Sequence, residues 1–343
     1  MLVDVSVEFP AGAVSVVTGP TGPGPSTLLR LINGLEQADS GVVELDGLDV
    51  TRLRSAALCR RVGWFSPTLF PHRSAVDNVA FAVRHSRRRR RSSTARSEHL
   101  LRSLGFASSF GSLPGRLPVA DKVRVALARS LVAETDVVLL DNPFAGLDPA
   151  LSSELRGTFL DVATQRSLTL VLADTATSRL MERVQFVVVL GHGGRVLQTG
   201  SPDAVFARPV DREVSALFGD ARGLRRLSLL PLDEVAVDSL PILALGASSA
   251  DARELATRAG RWLLISDGGR PVGWLDASRL GTGPLTEVPI VSPQSTVTNG
   301  DTLLAVLDGI VTSPSRMVVK VDSDGHIVGV IGMPALDPHL PVN

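Results

Sequence analysis

The chain has 343 residues, 44% apolar and 20% charged, which suits a globular protein with a real core and excludes a wholly disordered one. Lys+Arg and Asp+Glu both number 35, so no net field draws it to nucleic acid or to an anionic surface. Cys59 is the single cysteine, which excludes a disulfide framework; no basic-then-apolar leader is visible, and no apolar run approaches the ~18 residues of a membrane span.

The length implies two domains. In chain order, residues 13–19 read as a short buried strand running into a glycine-rich loop, and residues 26–34 as a helix. Strand, loop and helix together are the context of a phosphate loop, and residues 19–26 keep the spacing G-x-x-x-x-G-K-[ST] except at the lysine, where Pro25 stands. The stretch 84–131 reads mainly as helix and contains five consecutive arginines, 87–91, either a solvated run or a contact for anionic head groups. Buried strands are expected at 137–140, which ends in Asp141, at 168–172 and at 186–190. Continuous apolar strands separated by helices predict a mostly parallel sheet buried on both faces. Residues 219–223 read as a linker. Beyond them, 264–275 and 320–331 resemble each other, with Gly273 and Gly329 in register 56 residues apart. Each copy reads as strand, turn, strand after a helix (250–260 and 301–310), a tandem α/β module.

On these motifs, the first 220 residues resemble the nucleotide-binding subunit of ABC transporters. Residues 26–35, 40–47, 69–72 with 76–81, 200–203 and 207–218 are similar to the glycine betaine/proline importer group. The C-terminal repeat resembles the tandem CBS pair which that group carries. The resemblance implies an α/β fold: a P-loop NTPase-like ABC nucleotide-binding domain at 1–220, with a helical subdomain at about 75–132, then a tandem CBS pair at 221–343 with repeats at about 229–282 and 283–338. It implies ATP and Mg²⁺ as weakly held cofactors. Its partners would be an integral membrane permease subunit and a second nucleotide-binding subunit, with no nucleic acid, at the cytoplasmic face of the plasma membrane.

A phosphate loop aims backbone N–H groups and a lysine ammonium at phosphate oxygens. Gly19, Gly22 and Gly24 allow the tight path; Pro20, Pro23 and Pro25 carry no N–H, and Pro25 also removes the ammonium. Ser26 and Thr27 keep hydroxyls, with Ser26 and Asp141 expected beside Mg²⁺. The resemblance places four further departures. Asn142 stands where a glutamate would act on the attacking water, and an amide cannot accept a proton at neutral pH. Ser66 stands for a metal- and water-contacting glutamine, and Ala173 for the switch histidine. Leu117, Pro118, Val119, Ala120 and Asp121 replace the signature L-S-G-G-x and read as an ordinary helix entry. Asp148 of the dimer-contact loop is kept. Residues 3–9 look like the strand just before the phosphate-loop strand, so the resemblance implies either a truncated start or the absence of the family's first strand and adenine-stacking aromatic. In the repeats, the usual CBS ribose contacts fall on Asp276 and Arg279, and on Gly332 and Ala335, so neither keeps the pair.

Three functions follow from this sequence: an osmoprotectant importer subunit with impaired or absent ATP hydrolysis; a pseudo-ATPase that docks or regulates; and a CBS-based sensor of a ligand or of ionic strength on an inactive scaffold.

Overall fold

A computed structural model describes residues 2–20, 22, 24–85, 93–174, 181–219, 221–281, 285, 288–293 and 295–340. The arginine run and Pro23 lie outside the described residues. The chain divides into two compact units, Met1–Gly219 and Asp220–Asn343. No described helix is long and apolar enough to cross a membrane.

The first unit runs β1 (Val14–Thr18), α1 (Gly24–Ile32), β2 (Glu44–Leu45), β3 (Leu48–Asp49), α2 (Ser55–Leu58), β4 (Val62–Trp64), α3 (Ala75–Ala80), α4 (Ser93–Ser103), α5 (Val119–Leu131), β5 (Val137–Asp141), α6 (Pro149–Gln165), β6 (Thr169–Ala173), β7 (Phe186–Leu190), β8 (Val196–Gly200), α7 (Pro202–Ala207) and α8 (Arg212–Phe218). Its sheet has the order β4-β5-β6-β1-β7-β8. The first five strands are parallel and β8 is antiparallel. The expected apolar strands are these: Val16, Val17, Leu139, Leu140, Leu172, Val187 and Val188 are buried, as strands covered on both faces must be. Burying each such side chain stabilises by about 1.5–3 kcal/mol.

One strand is corrected. Residues 3–9 pair with no described strand. Their apolar alternation serves packing rather than a ladder: Leu2, Val5, Val7 and Phe9 lie on the core between α1 and the sheet, and the Phe9 ring meets Phe186 edge-on at 6.3 Å. The α1 helix also starts two residues before the expected position, because Pro25 presets a helical φ in its first turn.

The second unit runs α9 (Arg222–Leu227), β9 (Ile242–Ala244), α10 (Ser249–Ala259), β10 (Trp262–Asp267), β11 (Arg270–Asp276), β12 (Ile290–Val291), β13 (Thr296–Val297), α11 (Leu303–Thr312), β14 (Met317–Val321) and β15 (Ile327–Gly332). The repeat is visible as two copies of strand, helix, strand, strand. In each, the first pair is parallel and the second is an antiparallel hairpin with a register shift, after Ile265 in one and after Lys320 in the other. The hairpins differ in their turns: Gly268 and Gly269 close the first, and residues 323–325 the second.

Each copy pairs with the segment that leads into the other. β12 precedes the second copy but pairs with β11 of the first. Asp238 precedes the first copy but bridges to Val330 of the second. Both pairings cross a glycine for lack of space. A Cβ on Gly273 would lie 2.5 Å from Ile290 Cγ2 and 2.5 Å from the Val291 oxygen; one on Gly329 would lie 2.5 Å from Val237 Cγ1 and 2.7 Å from the Asp238 oxygen.

Candidate functional site

Parallel sheets bind ligands where the carboxyl ends of the strands meet. Here Val17 of β1, Ala173 of β6 and Asp141 of β5 stand side by side in register. The loop after β1 leads to α1, and Asn142 follows β5 directly.

Ser26 and Asp141 come together. The Ser26 hydroxyl donates to Asp141 Oδ1 at 2.7 Å, and the Asn142 side-chain amide donates to the same oxygen at 3.1 Å. Asn142 takes a left-handed backbone, φ 44°, a region asparagine tolerates better than most side chains. Thr27 follows on α1, half-buried.

The three loop glycines are not equivalent. A Cβ on Gly19 would sit 2.7 Å from the Leu190 oxygen, so that position demands glycine. At Gly24 a Cβ would meet Leu190 Cδ1 at 3.4 Å, an ordinary contact, and at Gly22 the nearest atom is 3.9 Å away.

Ala173 brings no side-chain donor or acceptor to this row. Asp174, the next residue, is buried and meets the guanidinium of Arg156 on α6 at 3.4 Å. The same guanidinium lies over the Phe144 ring, 5.1 Å from its centre. Arg156 therefore ties the residues after β5 to the end of β6, a role the sequence did not reveal. Asp148 caps α6, accepting from the Ala150 and Leu151 N–H groups at 3.1 and 2.9 Å.

Ser66 contributes its main chain. Arg129 of α5 donates to the Ser66 and Thr68 carbonyls at 2.5 and 2.8 Å, and burial pushes its pKa below the ordinary arginine value. Around this contact lies a groove of about 450 Å³, lined by Cys59, Trp64, Ser66, Phe70, Phe81 and Arg129 among others. Asn78 shapes its rim by accepting from the Phe70 N–H at 2.8 Å and donating to the Arg73 and Ser74 carbonyls. The pairing of Arg129 with a loop some sixty residues away had no local sequence signal.

Residues 117–121 form a helix entry, as expected: Pro118 is the N-cap of α5, and Val119 is exposed. Asp121 is buried and holds the entry in place. It accepts from the Ser108 N–H at 3.1 Å and from Arg124 at 3.0 Å, while Arg124 also reaches Glu154 at 2.5 Å.

The strand, loop and helix have the form expected of a phosphate loop; the donor set departs from it. Pro20 and Pro25 give no N–H, no ammonium stands in the first turn of α1, and Asp141 Oδ1 is already filled by two donors of the chain. Mg²⁺ in such sites relies on substrate phosphates for much of its shell. The residues present therefore do not fit the loaded group.

In the second unit, Asp276 is engaged. It pairs with Arg261 at 2.8 Å, accepts from the Ser278 N–H at 3.0 Å and from the Ser278 hydroxyl at 2.6 Å, and lies 3.9 Å from Arg279. The Arg261 bond, followed by Ser278, holds its carboxyl far below the usual carboxylate range.

Comparison with known proteins places this geometry among relatives. The sequence profile described as ABC transporter matches residues 2–145. The chain is 39% identical over 227 residues to the sulfate/thiosulfate import ATP-binding protein CysA of Burkholderia mallei, covering 64% of each chain. It is 34% identical over 251 residues to the Nocardia farcinica protein of the same name, covering 73% of this chain and 75% of that one. The chain thus spans about two thirds of the Burkholderia relative's length. Among solved structures, the dimeric ATP-binding cassette MJ0796 bound to ADP and Pi superposes with a TM-score of 0.52 at 21% identity, covering 58% of this chain and 90% of that one.

Proposed function

The chain belongs to the ABC transporter family, and from that premise we propose that it is the ATP-binding-cassette subunit of an importer whose own ATP hydrolysis is impaired or absent. One observation carries the reading: Ser26 and Asp141 keep their contact, while Pro25, Asn142 and Ala173 bring neither ammonium, base nor imidazole to the same place. Loss of general-base assistance alone is worth about 10²–10⁴-fold in rate. Shape is supported where chemistry is not, since the Asp121–Arg124–Glu154 and Arg129–Ser66 contacts hold the altered segments in a defined form.

The relatives are named for sulfate and thiosulfate import, not for glycine betaine. The cargo reading follows them: a sulfate-type oxyanion, selected by the permease and solute-binding partners. The permease contact we assign to the groove lined by Trp64, Phe70, Phe81 and Arg129, where aromatic surface and a guanidinium suit an amphipathic segment with an acidic residue. A second cassette subunit completes the assembly, held peripherally at the cytoplasmic face of the membrane. The second unit we read as a CBS pair, a reading supported by its repeated strand–helix–hairpin order and its reciprocal pairings. The engagement of Asp276 with Arg261 speaks against ribose recognition there.

Phosphate release from Mg·ATP by the purified chain, alone and with its co-expressed permease, tests the proposal. Turnover near the ~10 s⁻¹ typical of enzymes would overturn it.

A further inference from the structure

Asp141 Oδ1 has two lone pairs, and the chain fills both: the Ser26 hydroxyl donates at 2.7 Å and the Asn142 amide at 3.1 Å. The amide reaches this oxygen from a backbone held on both sides. The Asn142 N–H donates to the Ala173 oxygen at 2.9 Å, and the Asn142 oxygen accepts from the Ala145 N–H at 3.2 Å. A glutamate at 142 would offer no donor and would set a second carboxylate beside the first, a repulsion that a divalent cation relieves. Asparagine supplies a hydrogen where the cation would supply charge.

We infer that Ser26 and Asn142 together turn a cation site into a hydrogen-bonded latch on Asp141: the Ser26 hydroxyl ties the first turn of α1 to the end of β5, and the Asn142 amide holds the carboxylate that receives it, with neither metal nor nucleotide. The inference rests on the importer-subunit reading for what the position descends from, and not on any turnover rate. Its consequence is a subunit whose strand ends keep one arrangement whether or not nucleotide is present.

The test is Mn²⁺ uptake, read by electron paramagnetic resonance on the full chain without nucleotide. An Asp322→Ala background removes the exposed Asp322, Asp324 and His326 trio as a competing binder. The latch predicts no uptake at millimolar Mn²⁺ in that background, and uptake once Asn142→Asp is added. It also predicts that Asn142→Ala, which brings no charge, lowers the melting temperature by about 2–4 °C. Ser26→Ala and Asn142→Ala together should be non-additive, because both donors serve one oxygen. Stoichiometric Mn²⁺ uptake with Asn142 in place, or an Asn142→Ala protein that melts with the parent, would overturn the latch. ATP turnover without Mn²⁺ uptake would sink the functional reading and leave the latch standing; Mn²⁺ uptake without turnover would do the reverse.

Discussion

Arg156 and Asp174 face each other at 3.4 Å with both side chains almost wholly excluded from solvent, and Arg156 Nε has no hydrogen-bond partner among the described residues. Such a pair is weak evidence of stability, because desolvation offsets the attraction. Removing one partner is a different matter. Asp174→Asn should destabilise the first unit by about 3–5 kcal/mol in urea titrations, whereas Arg156→Met with Asp174→Leu should recover most of the loss. Equal destabilisation by the single and double changes would show that the pair is not what matters there.

Asp148 offers a smaller and cleaner effect. It is the N-cap of α6 and accepts two main-chain hydrogen bonds. Asp148→Ala should cost about 0.5–2 kcal/mol, with Asp148→Asn close to the parent. Equilibrium denaturation separates this capping role from a role at a subunit contact, which would show only in assembly.

Acid should act on the second unit through Asp276. Its pKa is depressed in the folded chain, first by Arg261 and then by Ser278. A depressed carboxylate stabilises above its unfolded pKa of about 4, and that stabilisation is lost as pH falls through the folded value. The parent should therefore lose stability on acidification below about pH 4, and Asp276→Asn should be less stable at neutral pH but flatter across that window. Parallel pH profiles for the two proteins would contradict this.

Gly329→Ala should destabilise the second unit by about 1–3 kcal/mol, because the new Cβ would overlap Val237 and the Asp238 main chain. Fluorescence of the buried Trp274 reports that unit. Gly22→Ala, where the space is open, should stay within about 0.5 kcal/mol.

The sequence made the sheet legible where strands are buried on both faces, since β1, β5, β6 and β7 are nearly continuous apolar runs. It misled at residues 3–9, where the same alternation packs on a core instead of entering a ladder. The three-residue β4 was too short to show a period. At the site, the phosphate-loop spacing pointed to Ser26, and the residue ending an apolar run pointed to Asp141. The Asn142 bond to Asp141 depends on a left-handed backbone that no pattern announces. Arg129 and Arg156 were invisible for another reason: each acts on a partner brought near only by the fold.

The reciprocal pairings of the second unit bear on how the chain is made. The residue that Asp238 joins, Val330, sits almost at the opposite end of the unit. During synthesis the first hairpin can close early, but it must wait for Ile290 and Val291 to cover its edge. The Val237–Asp238 segment has no sheet partner until β15 emerges. Until then the nascent chain carries an unpaired edge, the kind of surface that recruits other chains. Emergence of β15, not the appearance of the first repeat, therefore sets when this part of the molecule is safe from aggregation.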